Sequence, residues 1–224
     1  MEINLTSKLF SALLLCGCFL LISSCKKEEE EPINLDPVHL QARLDAGETP
    51  KNLYDSEVPL ESIYGLTYKD GYIFDLDTKT GEGMVAALED ASSEWLDWGC
   101  AGEDLPSVEN SEAATGLDNT LAIVYDCASL DTPAHASLVS AWVEDANWFL
   151  PSKLELRKMF ENLRMNNQGN FQDAPYWSST EINADMVWAQ YFGIDVDGWT
   201  DGLEFESGKT LMAVPRYIRP ARVF

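Results

Sequence analysis

The chain has few of the residues that most enzymes and nucleic-acid-binding proteins rely on. It contains 2 histidines, and its 15 lysines and arginines face 38 acidic residues, which leaves a net charge of −23. A field of that sign repels nucleic acid and anionic membrane surfaces. Nucleic acid is therefore not an expected partner, whereas cations, neutral sugars and basic proteins are compatible ones.

Motifs for catalysis are also missing. The sequence has no nucleophile elbow, zinc-binding helix or phosphate loop. His39 and His135 have no partner at a recognisable spacing. We predict that the protein is not an enzyme, although its many carboxylates leave an acid–base pair open.

No apolar run is long enough to cross a bilayer as a helix. The longest, residues 9–22, follows Lys8 and has about 14 residues, whereas a spanning helix needs about 20. This pattern is typical of a secretory signal peptide. Ser23 and Ser24 before Cys25 resemble a bacterial lipoprotein cleavage box, which implies lipidation of Cys25 and a membrane contact through the lipid anchor alone. An ordinary signal peptide with a chance cysteine is the alternative.

The residues after Cys25 resemble the surface-export signal of Bacteroidetes lipoproteins. Two lysines precede the acidic run 28–31, whose charges repel one another and favour a solvated tether. We predict an outer-membrane lipoprotein that is exposed at the cell surface. An anchor that faces the periplasm is the alternative.

Cysteine usage agrees with export. Cys16 and Cys18 leave with the signal peptide and Cys25 is lipidated, so that Cys100 and Cys127 remain. Two cysteines in an oxidising compartment most simply form a disulfide. A catalytic or metal-binding role is the alternative.

The chain divides into four segments. We predict a signal peptide (1–24), an acidic tether (25–37), an N-terminal preamble (38–63) and a main domain (64–224). The preamble includes a short helix near residues 38–44 that Gly47 and Pro50 would stop. Its apolar residues are expected to dock on the main domain; they are Leu53, Val58, Leu60 and Ile63.

Within the main domain, strand patterns precede and follow helical ones. Residues 72–76 and 84–87 are strand candidates, and Asp118 and Asn119 are candidate caps of a helix. The clearest element is a helix after Ser152, which forms a capping box with Glu155. Its apolar face recurs at helical spacing, at Leu156, Met159, Phe160 and Leu163. Short strands follow, and the order predicts an α+β fold.

Four motifs carry a family resemblance. They are WFLPSKLEL at 148–156, YWSSTE at 176–181, the Val-Trp and Phe-Gly pairs within 187–193, and IRPARVF at 218–224. Together they resemble the Lcl C-terminal domain family (DUF1566), over about residues 40–224. The resemblance implies a C-type-lectin-like fold with short antiparallel strands, two or three helices and long loops. Known members are mostly surface or extracellular binding proteins.

The predicted function is therefore non-catalytic binding or adhesion to a glycan or protein ligand through the C-terminal loops. A structural or accessory subunit of a cell-envelope assembly is the alternative. The candidate ligand-binding residues lie between about positions 183 and 209. They are Asn183, Asp185, Asp195, Asp197, Trp199, Asp201 and Glu204. So acidic a surface argues against sulfated glycans.

Three of these residues form a possible calcium site, and no other cofactor is expected. Asp195, Asp197 and Asp201 surround a glycine turn, and Ca²⁺ binds six to eight oxygens. The alternative is a hairpin turn with solvated aspartates. Trp199 in the same loop is either a core residue or a flat platform for a sugar or protein.

Three arginines near the C-terminus concentrate positive charge in an acidic chain. Arg216, Arg219 and Arg222 would alternate faces on a strand, and we expect them to pair with Glu155 or Glu181. An anion-binding role is the alternative. The tryptophans within the family motifs are expected in the core; they are Trp148, Trp177 and Trp188.

Overall fold

In the computed structural model, two antiparallel sheets and the helices packed against them form an α+β fold, as predicted. The described residues are 32–91, 96–108, 115–127, 132–139, 147–194, 202–210 and 216–224. The predicted signal peptide and Cys25, the predicted lipidation site, lie outside these ranges. Within them, no helix is long and apolar enough to cross a membrane.

Six α-helices and seven strands are defined in these ranges. The helices are α1 (Pro37–Asp45), α2 (Pro50–Asp55), α3 (Leu60–Ile63), α4 (Gly116–Asp126), α5 (Pro133–Val139) and α6 (Lys153–Asn162). The strands are β1 (Thr67–Tyr68), β2 (Gly71–Leu76), β3 (Gly83–Ala87), β4 (Pro175–Asn183), β5 (Met186–Tyr191), β6 (Glu204–Gly208) and β7 (Ala221–Val223). The first sheet has the order β1-β2-β3-β7 and the second has the order β4-β5-β6.

The preamble forms three short helices. Asp36 caps α1 by accepting the N–H of Val38, and Pro37 occupies the first turn. The helix ends before Gly47 and Pro50, as expected, and Pro50 also begins α2. Proline suits the first turn because the N–H that it lacks has no partner within a helix there.

The preamble helices pack on the first sheet. Leu53, Val58 and Ile63 are almost fully buried and Leu60 is partly buried. They share one apolar cluster with the strand residues Ile73 and Val85. Burial of these side chains fastens residues 38–63 to β2 and β3 through the hydrophobic effect.

Helix α6 packs against both sheets and begins at the predicted capping box. Ser152 Oγ accepts the N–H of Glu155, whose carboxylate accepts the N–H of Ser152. The predicted apolar face is buried in the central cluster; its members are Leu156, Met159, Phe160 and Leu163. The same cluster includes Phe74 of β2 and Phe192 after β5, so α6 joins the two sheets.

Helix α4 begins earlier than the sequence indicated. It starts at Gly116, so Asp118 and Asn119 lie within its first turn instead of capping it. Asn119 is buried and its amide donates to Ser179 of β4. At the other end of the helix, Cys127 forms the predicted disulfide with Cys100, and their Cα atoms are 5.2 Å apart.

Candidate functional site

The second sheet separates the predicted site residues that the structure describes. Asn183 and Asp185 lie at the β4–β5 hairpin, whereas Glu204 begins β6. Met186 pairs with Gly208 and Gln190 with Glu204, so the two ends are four residues, or about 13 Å, apart along the strands. The other candidates, Asp195, Asp197, Trp199 and Asp201, lie outside the described residues.

Asn183 holds the hairpin turn. Its Oδ1 accepts the backbone N–H groups of Asp185 and Met186 at 3.0 and 3.1 Å. The carbonyl of Asp185 accepts the N–H of Lys209 at 2.9 Å. These bonds tie the hairpin to the segment that follows β6.

Glu204 lies between two cations on α6. Arg157 Nε is 2.5 Å from Glu204 Oε1, and Lys153 Nζ is 3.2 Å from Oε2. Partial burial raises the pKa of Glu204, but the hydrogen bonds from Arg157 and Lys153 outweigh it and hold the pKa below its ordinary value. The position of β6 against α6 is therefore fixed partly by charge.

Two of the three predicted core tryptophans are buried. Trp148 and Trp177 have almost no exposed surface. Trp188 is only partly buried, and Lys153 Nζ lies 3.2 Å from the centre of its ring. Cation–π attraction thus adds to the charged contacts around β5 and α6.

A groove of about 410 Å³ lies between α6 and the β5–β6 part of the second sheet. We call it the C-terminal groove. Its apolar lining is Phe160, Met165 and Leu203, and its polar lining includes Gln190 and the Arg157–Glu204 pair. About half of the Leu203 and Met165 surfaces is exposed. A ligand can therefore bury apolar surface here without any rearrangement of the core.

Gln190 is a buried polar residue of this groove whose side chain is only partly hydrogen-bonded. It is 3% exposed, and its Nε2 donates to the carbonyl of Gly202 at 3.2 Å. Its Oε1 is buried and has no hydrogen-bond partner within the structure that is described. An unpaired buried acceptor costs about 1–3 kcal/mol, so this atom is suited to accept a donor from a ligand.

The groove also lies where the predicted ligand loop joins the sheet. Residues 195–201 connect Ile194 to Gly202, and Gly202 lines the groove. A Cβ at Gly202 would be 2.4 Å from the ring of Phe160. The absence of a side chain therefore lets the loop end rest directly on the groove floor.

The predicted partners of two arginines are wrong. Arg219 pairs with Asp90 at 2.7 Å, and Arg222 lies 3.8 Å from Asp70. Glu181 instead pairs with Lys209. Glu155 was a poor candidate because, at the start of α6, its carboxylate accepts backbone N–H groups.

Arg216 and Arg222 also contact two of the buried tryptophans. The guanidinium of Arg216 lies 4.8 Å from the ring centre of Trp177, and that of Arg222 lies 4.7 Å from the ring centre of Trp148. These side chains help to cover the core.

No cluster of three or more metal-ligating side chains occurs within the described ranges. The predicted calcium ligands fall in the segment 195–201, so that site stays a prediction.

We found no relative of this chain among the known proteins and families with which it was compared. No family model matches the sequence, and no curated protein matches it.

The charges around Glu204 give a first prediction. We expect Arg157→Met to raise the pKa of Glu204 toward its ordinary value, because the variant removes a cation that stabilises the carboxylate. A carboxyl with a lowered folded pKa adds stability above its unfolded pKa, and this stability is lost as the pH falls through the folded pKa. In Arg157→Met, the free energy of unfolding should therefore decrease less steeply as the pH falls through the pKa of Glu204. Carbon-detected NMR titration of the Glu204 carboxyl measures the pKa.

Lys51→Met is the matched control, because Lys51 pairs with Asp55 on α2. It should leave the titration of Glu204 unchanged. An unaltered Glu204 pKa in Arg157→Met would contradict the assigned ion pair.

Proposed function

We propose that this protein is a non-catalytic, surface-exposed binding lipoprotein that recognises a protein or glycan ligand through the C-terminal part of its domain. Lipidated Cys25 would anchor it in the outer membrane, and the acidic segment would hold the domain away from the bilayer. The observation that carries the proposal is the unpaired, buried Oε1 of Gln190 beside an exposed apolar floor. The resemblance to lectin-like surface proteins supports the same role.

The chemistry of the C-terminal groove favours a protein ligand over a glycan. Its volume lies within the range of about 300–1,000 Å³ that is usual for ligand sites. The exposed lining of the groove is more apolar than polar, owing to Phe160, Met165 and Leu203. Such a lining suits an apolar side chain of a ligand. Gln190 Oε1 can accept a backbone N–H next to that side chain, so one short segment of a protein satisfies both features.

The net charge of the chain supports a ligand with basic residues. A charge of −23 attracts cationic partners over a distance that salt shortens. Glu161 is exposed at the rim of the groove. A ligand with an apolar anchor and basic neighbours would use both the groove and the field around it.

Binding of the full chain to arrays of synthetic peptides and of glycans tests the proposal. We expect saturable binding to peptides with an apolar residue beside basic ones, and weaker binding at high salt. Leu203→Asp should abolish it, because the variant places a charge in the apolar floor. Leu88→Asp is the matched control, since Leu88 is exposed to a similar extent as Leu203, 41% against 49%, but does not line the groove.

Each array is probed with calcium and with chelator. Loss of binding with chelator would support the predicted site at Asp195, Asp197 and Asp201. Equal binding by Leu203→Asp and Leu88→Asp would contradict the groove as the binding surface. Two blank arrays in both conditions would contradict the proposed function and favour an accessory subunit of an envelope assembly.

A further inference from the structure

A second, more polar pocket lies around the loop that follows α6. Its volume is about 510 Å³, and we call it the amide pocket. Its lining includes three residues with amide side chains, a tyrosine, an arginine and glycines. These residues include Asn167, Gln168, Asn170, Tyr72, Arg164 and Gly65.

Arg219 holds the floor of the amide pocket from the inside of the protein. Its guanidinium donates to the carbonyls of Gly169 and Asn170 and lies 4.3 Å from the ring centre of Phe171. It also donates to Asp90. The loop is thus fixed before any ligand arrives, which lowers the entropy that binding costs.

Gln168 leaves a buried acceptor at the wall of this pocket. Its Oε1 is buried and has no partner within the described part of the chain. The amide lies directly against Gly65, where a Cβ would be 1.3 Å from Oε1. Gly65 has φ +86°, so both its backbone angle and its lack of a side chain make room for the amide. Glutamine at position 168 thus leaves one buried oxygen without a hydrogen bond, whereas an apolar residue there would leave none.

The pocket is close to neutral although the protein is strongly acidic. Arg164 is its one charged lining residue, and Arg164 pairs with Asp173 and donates to the carbonyl of Phe192. The amides of Asn167, Gln168 and Asn170 each offer donors and an acceptor without a charge. An anionic ligand would meet a repelling field, and a cationic ligand would find no carboxylate among the lining residues that the structure describes.

From these features we infer that the amide pocket binds a neutral saccharide. Adjacent hydroxyls on a sugar ring can donate and accept hydrogen bonds at the same time, and each side-chain amide can do the same. Tyr72 supplies an aromatic surface for the apolar face of the ring. A sugar hydroxyl would donate to Gln168 Oε1, the acceptor that lacks a partner. This site is separate from the C-terminal groove.

Saturation-transfer NMR on the full chain, kept in an amine-oxide detergent that contains no sugar, tests this inference. The probes are methyl glycosides of glucose, galactose, mannose and N-acetylglucosamine, the corresponding free sugars, and methyl glucuronide. We expect saturable binding of at least one neutral probe and weaker binding of the glucuronide. Binding of a methyl glycoside assigns the end of a glycan chain, whereas binding of free sugars alone assigns monosaccharides.

Two variants locate the binding. Gln168→Met should weaken it about tenfold or more, since one hydrogen bond is lost, and should raise the urea midpoint of unfolding because the unpaired acceptor is gone. Asn170→Gly should also weaken binding. Asn170 has φ +51°, a conformation that glycine adopts freely, so this variant keeps the loop. Gln172→Met is the control, because Gln172 is exposed and does not line the pocket.

The outcomes are separable from those of the proposed function. Leu203→Asp, which removes the apolar floor of the C-terminal groove, should leave glycoside binding intact. If no neutral probe binds, or if Gln168→Met binds as tightly as the unchanged protein, the inference is wrong.

Discussion

Replacing Lys209 with methionine is expected to lower the free energy of unfolding by about 3–5 kcal/mol, the usual cost of leaving one charge of a buried pair alone. The side chains of Lys209 and Glu181 are 0% exposed, and Nζ lies 2.9 Å from Oε1. The ammonium also donates to the carbonyls of Cys100 and Glu103 at 3.2 and 2.6 Å. Methionine keeps most of the volume of lysine but leaves the Glu181 carboxylate and both carbonyls without this donor.

Urea denaturation measures this loss. Lys51→Met changes the net charge equally, but Lys51 and Asp55 form an exposed pair on α2. Such pairs contribute about 0–1 kcal/mol, so this control should remain close to the unchanged protein. A loss in Lys209→Met no larger than in Lys51→Met would contradict the importance of the buried pair.

A double variant separates the buried charge from the lost packing. Lys209→Met combined with Glu181→Gln removes both charges, and the amide side chain introduced by the second substitution would retain an oxygen that can accept the N–H of Leu105, as Glu181 now does at 3.1 Å. We expect the double variant to be more stable than Lys209→Met alone, because no charge is left unpaired in the interior. Equal stability of the two would assign the loss to the two carbonyls instead.

The elements that the sequence predicted well are those with local causes. The capping box of α6 joins residues three positions apart, and the apolar face of that helix repeats every turn. The disulfide could be predicted because the expected signal-peptide cleavage and lipidation leave two of the five cysteines to pair. The preamble helix α1 was also predictable, and it ends before Gly47 and Pro50 as expected; that Pro50 begins a second helix was not predicted, although proline suits a first turn.

The charge pairs could not be predicted because their partners are distant in the chain. Arg219 and Asp90 are 129 residues apart, and Lys209 and Glu181 are 28 apart. The alternation of side chains between the two faces of a strand does not indicate which of the 38 acidic residues an arginine or lysine will contact. Only the packing of β7 beside β3 and the return of the chain after β6 bring these groups together.

The two candidate pockets were missed for a related reason. Gln190 stands in the apolar run MVWAQYF at 186–192, and only the structure shows that its buried Oε1 has no partner among the described residues. The amide-rich run NNQGN at 166–170 has the composition of an ordinary helix end. Asparagine and glycine are typical of such ends, so composition favours that reading. A run of amides beside a turn is the one signal in the sequence that pointed toward the amide pocket.

Arg219→Met is expected to destabilise the protein by about 3–5 kcal/mol, on the scale of a broken buried ion pair. Arg219 is 1% exposed. Its guanidinium donates to the Asp90 carboxylate at 2.7 Å and to three carbonyls, those of Ala87, Gly169 and Asn170. Methionine satisfies none of these acceptors, and it leaves Asp90 largely buried without its cation.

The loss of stability in Arg219→Met should depend on pH, because it depends on the charge of Asp90. Burial raises the pKa of Asp90 although Arg219 opposes this, and removal of Arg219 should raise it further. An acid with a raised folded pKa binds its proton more tightly in the folded state, so stability falls as the pH rises from the unfolded to the folded pKa. Urea denaturation of Arg219→Met should therefore show its largest deficit near neutral pH and a smaller one as the pH falls through the Asp90 pKa.

Arg219→Lys and Arg43→Met identify the cause. Lysine keeps the charge but lacks the planar fork that reaches several acceptors at once, so Arg219→Lys should fall between Arg219→Met and the unchanged protein. Arg43 pairs with Glu48 at the surface, and Arg43→Met should cost about 0–1 kcal/mol. A deficit in Arg219→Met that does not change with pH would contradict the coupling to Asp90. Because the same guanidinium holds the loop of the amide pocket, Arg219→Lys should also weaken glycoside binding, whereas Arg43→Met should not.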